Sequence, residues 1–154
     1  MATTYKTSHT PAQLRLCETY RNLGLWTFQG WIAMFFFAAG YAKLTVSMET
    51  LTALMTWPAL VDPDLVRGVG IAEVILAAGV LAPLASWRVG GPILMVAALG
   101  LLMLETVMLG VHLTGQDLGL AAVNLILMAL TTTVLIGRRS ALNLVTREPK
   151  TLLG

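Results

Sequence analysis

Four stretches of the chain run nearly free of charge for the roughly 20 residues that a bilayer crossing requires. They are Leu25–Leu44, Leu65–Leu84, Val89–Val111 and Leu118–Ile136. Each predicts a transmembrane helix, so the fold class is all-α: a polytopic four-helix transmembrane bundle. More than 20 mostly polar residues precede the first span, without a short basic start or a small-residue cleavage site. The first span is therefore not expected to be a cleaved signal peptide.

The segments between the spans carry their own signals. Thr10-Pro11-Ala12-Gln13 combines a capping threonine, a proline at the first helical position and a glutamine at the third. With Leu16, Tyr20 and Leu23 on one face, Pro11–Asn22 reads as an interfacial helix, or else as an extension of span one into the cytosol. After span one, Ser47 can cap a short interfacial helix whose Leu51, Leu54 and Met55 form an apolar face. Trp57 suits the headgroup level, and Asp62-Pro63 caps and starts span two. Only Ala85–Arg88 join spans two and three, which must be antiparallel neighbours. The chain divides into a cytoplasmic tail (1–24), the transmembrane domain (25–136) and a basic cytoplasmic tail (137–154).

Composition agrees with this pattern. Of the 154 residues 56% are hydrophobic and 12% charged, and the mean hydropathy is +0.77. Soluble domains average about 45–50% apolar and about 25% charged, so the expected environment is the lipid bilayer. The pI near 9.0 does not point to nucleic acid, because the basic residues sit mainly in the tails. Lys6, Arg15, Arg21, Arg88, Arg138, Arg139, Arg147 and Lys150 fall on one side, against Lys43 and Arg67 on the other. That bias places both termini in the cytoplasm and the protein in the inner membrane. The single Cys17 leaves no cysteine pair to relay electrons.

The candidate chemistry lies in the few polar residues inside the spans. Glu73 and Glu105 fall roughly 12 Å in from the outer ends of spans two and three, and Asn124 roughly 9 Å in from that of span four. Lys43 closes span one at the same side, His112 lies two turns outward of Glu105, and Asp117 outward of Asn124. Every helix thus contributes a polar group to the outer half, and the inner half offers nothing comparable. A charge at a helix centre costs about 2.5–3.5 kcal/mol or more, so these groups should face one another or a wet cavity. Lys43 can offset one glutamate, and two carboxyls close together there are expected to share a proton. Glu73, Glu105 and Lys43 form the candidate proton-active site. His112, Asn124, Gly40, Phe36 and Met108 are candidate ligand contacts, with Phe35, Phe37 and Met103 as further apolar lining. Against this stands simple cross-linking, at about 0.6 kcal/mol per buried polar contact. Glu105 and His112 are seven residues apart, not the three or four of a helical ligand pair, so no metal site is expected.

Phe35–Leu44 (FFFAAGYAKL), Gly68–Leu81 (GVGIAEVILAAGVL), Glu105–Leu113 (ETVMLGVHL) and Leu120–Met128 (LAAVNLILM) resemble the DoxX-like proteins. The resemblance implies a four-helix integral membrane protein of the DoxX/DoxD type. One branch is similar to the small subunit of a thiosulfate:quinone oxidoreductase, and others associate with redox or oxidative-stress partners. It carries over to Gly40, Lys43, Glu73, His112 and Asn124, whereas Glu105 rests on the depth argument. The function expected first is a redox-associated subunit that binds a quinone or similar lipophilic molecule, without a covalent cofactor and with an oxidoreductase as partner. The alternatives are a cofactor-independent acid–base enzyme acting on a lipophilic substrate, such as an isomerase, cyclase or hydrolase, and a small proton-coupled transporter. Assembly into a homo-oligomer fits each of them.

Overall fold

The computed structural model describes residues 10–147, with side chains as far as Arg139. Five α-helices follow in order: α1 Pro11–Thr45, α2 Met48–Leu54, α3 Pro63–Leu81, α4 Trp87–Thr114 and α5 Leu118–Arg147. Four of them are long and apolar enough to cross a membrane. They close into a ring in which α1 packs on α3 and α5, and α4 on α3 and α5. Two ends result. The terminal end holds the start of α1, the end of α5 and the α3–α4 connection. The lid end holds α2 and the α4–α5 turn.

The start of α1 forms for the reason its sequence suggests. Thr10 accepts from the Gln13 amide (3.4 Å) and Gln13 Oε1 accepts from the Thr10 amide (2.9 Å), a complete capping box. Pro11–Asn22 is not a separate surface helix, however. With no proline or αL residue to stop it, it continues into span one as a single helix of 35 residues. Span four likewise runs on as helix past Ile136 to Arg147. Lys6 and Lys150, and the side chain of Arg147, lie outside the described residues.

Between α1 and α3, Ser47 caps α2 by accepting from the Thr50 amide, and a 3-10 turn at Trp57–Leu60 follows. Together they form a lid. Leu51 and Trp57 are buried with Val66 of α3, and Met55, Met108 and Val111 pack against them. Leu54 faces outward at 64% exposure, and Trp57 is buried at 6%. Thr56 Oγ1 donates to Asp117 Oδ2 (3.1 Å), which ties the lid to the α4–α5 turn.

α1 and α3 approach closely. A Cβ on Gly40 would meet the Gly70 carbonyl oxygen at 2.7 Å, and one on Gly70 would meet the Gly40 oxygen at 3.0 Å. Glycine at both positions lets the backbones touch, as in membrane helix pairs generally. Below the lid the interior is apolar, with Ile32, Phe36, Ala77, Leu94, Leu101 and Val134 at its centre.

Candidate functional site

The glycine crossing sets the first element of the site. One turn beyond Gly40 comes Lys43, and one turn beyond Gly70 comes Glu73. The close approach brings these side chains together, and Lys43 Nζ donates to both Glu73 oxygens at 2.8 Å. Both side chains are about 95% buried (6% and 5% exposed). Arg67, one and a half turns before Glu73, donates to the carbonyls of Lys43 and Val46. It thereby satisfies free acceptors at the C-terminal end of α1.

The second element joins α4 to α5. Glu105 is 1% exposed, and its Oε1 accepts from Thr131 Oγ1 at 2.9 Å. Asn124, two turns before Thr131 on the same face, donates through Nδ2 to the backbone oxygen of Glu105 (2.6 Å). Glu105 is thus gripped at both its carboxyl and its carbonyl by one helix. Its Oε2 has no hydrogen-bond partner, and neither has the buried Nδ1 of His112.

A cavity of about 100 Å³ lies between the two elements. Lys43, Glu73, Glu105, His112, Asn124, Phe36 and Met108 all line it, with Met55 and Trp57 of the lid. Phe35 and Val123 also line it and are about 40% exposed (39% and 40%), so it reaches the lipid-facing surface between α1 and α5.

Three expectations need correction. The two carboxyls do not share a hydrogen bond: both Glu73 oxygens are engaged by Lys43, and Glu105 is held by Thr131 at Oε1 alone. Gly40 does not touch the cavity; it sits at the helix crossing and acts by allowing the contact. Met103 is 72% exposed, outside the cavity, and Phe37 packs against the apolar core instead. The sequence reading missed Thr131, although its spacing of seven from Asn124 put it on the same helix face.

It also missed a second polar cluster, at the terminal end. Gln29 is fully buried, donates through Nε2 to the Val80 carbonyl (2.9 Å), and accepts at Oε1 from Arg138 Nε (2.7 Å). Arg138 Nη1 donates to Asn22 Oδ1 (2.6 Å). The guanidinium lies 4.9 Å from the ring centroids of both Trp26 and Trp87. The terminal-end half of the bundle, expected to hold nothing comparable to the lid-end polar groups, is therefore not empty of them. Gln29 was overlooked as an uncharged residue within an apolar run, and Arg138 as one more tail charge.

Residues 27–134 match the sequence model of the DoxX-like family. The chain belongs to the DoxX-like family. No curated protein and no solved structure matches it. In this DoxX-like protein the matched stretch holds the whole lid-end site, from Phe35 to Thr131. Asn22, Trp26 and Arg138 of the second cluster fall outside it.

Proposed function

We propose that this DoxX-like protein binds a small lipophilic molecule with a quinone-like oxygen in the lid-end cavity, as the membrane subunit of a redox partner. One observation carries the reading: Glu105 Oε2 and His112 Nδ1 are buried and unpartnered, and both residues line one cavity. Buried polar atoms are paired almost everywhere in proteins, and a carbonyl or hydroxyl oxygen brought to either of these would give it a partner. A protonated Glu105 and the imidazole N–H can each donate to a quinone oxygen. Lys43 and Glu73 neutralise each other and hold one wall of the cavity fixed. Phe36 and Met108 offer flat, polarisable surface to a ring.

Size supports a lipophilic ligand held by its head. A cavity of about 100 Å³ is on the scale of the roughly 150 Å³ that takes a benzene ring. A tail would leave past Phe35 and Val123 into lipid. Electrons would come from a partner protein, and the protein's own part is to bind, to orient and to supply a proton from Glu105. With the termini cytoplasmic and the protein in the inner membrane, the cavity lies in the outer leaflet half. A C-terminal alkaline phosphatase fusion should then be inactive.

The binding test uses the full chain in detergent and a short-tail benzoquinone, with Trp57 fluorescence as the readout. Saturable quenching is expected. Glu105→Gln and His112→Phe should each weaken it about 3–10-fold, the worth of one hydrogen bond. Binding that never saturates, or that both variants leave unchanged, overturns the reading. A second reading, cofactor-independent acid–base chemistry, is favoured by the same carboxyl and imidazole flanking one cavity. Turnover of a lipophilic substrate by the protein alone, lost in Glu105→Gln, would decide for it.

A further inference from the structure

We infer that the terminal end of the bundle carries a binding site for a phosphate-bearing anion, with Arg138 as its anchor and the headgroup of an anionic phospholipid as its main source. The site is separate from the lid-end cavity and does not depend on what that cavity binds.

The first observation is an uncompensated cation. Arg138 is 2% exposed, yet no carboxylate among the described residues lies within ion-pair distance of it. Its protein partners are the neutral amides of Gln29 and Asn22 and the faces of Trp26 and Trp87. These satisfy Nε and Nη1 but leave the buried Nη2 without a hydrogen-bond partner. A buried guanidinium without a counter-charge is costly, and an oxyanion is the group its planar fork fits best.

The second observation is the space beside it. Arg138 lines an open cavity of about 530 Å³ together with Arg15, Glu18, Thr19, Arg21 and Asn22. That volume lies within the roughly 300–1,000 Å³ of small-ligand sites. Three arginines face it against one glutamate, and Glu18 is only loosely held by Arg21 at 3.8 Å. Thr19 and Asn22 add polar side chains. The field there is positive and the donors are in excess.

Position names the source. Trp26 and Trp87 meet edge to face with centroids 6.0 Å apart, a tryptophan pair of the kind found at headgroup level. They bracket Arg138 where α1 and α5 leave the apolar core. A lipid phosphate can reach the arginines from this depth while its acyl chains stay in the bilayer. Free phosphate from solution would use the same donors.

The test uses the full chain in detergent, titrated with phosphatidylglycerol, with phosphatidylcholine or with inorganic phosphate, and bound species counted by native mass spectrometry. Phosphatidylglycerol is expected to bind in preference to phosphatidylcholine. Arg21→Gln, on the exposed side of the cavity, should weaken it about fivefold, the worth of one basic residue near a lipid surface. Arg138→Gln should weaken it more, with Arg138→Lys between. Inorganic phosphate binding that competes with the lipid and falls in Arg21→Gln would retain the site and assign it to free phosphate. No preference between the two lipids together with no phosphate binding overturns the inference. So does binding that Arg21→Gln leaves unchanged, a variant whose exposed site keeps the fold out of question.

Discussion

The two ends of this bundle bury ionic groups by opposite means. At the lid end a lysine and a glutamate cancel each other across the Gly40–Gly70 crossing. At the terminal end an arginine is surrounded by amide oxygens and indole faces, with no carboxylate of its own among the described residues. The first solution makes a locally neutral wall of a cavity that Glu105 and His112, each with a buried unpartnered atom, also line. The second leaves the arginine's Nη2 buried and without a hydrogen-bond partner. Between them lies an apolar core that includes Ile32, Ala77 and Leu101, which insulates one from the other.

The contrast can be broken most strongly at the ion pair. Glu73→Gln leaves the Lys43 ammonium buried without a counter-ion and should cost about 3–5 kcal/mol, seen as a large drop in thermal unfolding temperature in detergent. The double variant Lys43→Met/Glu73→Leu should recover most of that loss, because two well-packed apolar residues carry no buried charge. If the double variant were no more stable than Glu73→Gln, the pair would not be the reason for the fall.

A smaller effect is expected at Thr131→Val, which preserves shape and removes one hydrogen bond to Glu105. It should cost about 0.5–1.5 kcal/mol. It should also raise the frequency of the Glu105 carboxyl band in infrared difference spectra, since the acid loses its donor. An unmoved band would place the Thr131 hydroxyl elsewhere. A comparable effect is expected at the terminal end. Trp26→Leu removes one of two cation–π faces from Arg138 and should cost about 0.5–2 kcal/mol, with the lid-end cavity untouched. A change in quinone binding in that variant would mean that the two ends are coupled.

Much of this architecture was legible in the residues. The four spans follow from runs of apolar side chains that nothing but lipid could face, and the capping signals at Thr10, Ser47 and Asp62 all form. The depth of Lys43, Glu73, Glu105, His112 and Asn124 was readable because rise per residue converts sequence position into height. What height does not give is azimuth. Whether Lys43 meets Glu73 or Glu105 depends on which helix faces which, and that is decided by the glycines that let α1 close on α3. Thr131 and Gln29 escaped notice for another reason. An uncharged polar side chain in an apolar run has little cost until its partner is known, so nothing in the run itself sets it apart. Arg138 was misplaced because a helix that outlasts its apolar stretch carries its first basic residue into the packed interior.

The paired glycines have one more consequence. Gly40 to Lys43 and Gly70 to Glu73 are equal intervals on facing helices, measured from a contact that admits no side chain at either position. One residue inserted into either interval would turn the charge beyond it by about 100° and aim it at lipid. Every residue of the site would still be there, and the site would not. What the chain must keep here is a distance along two helices, and the identities of its polar residues matter only once that distance is right.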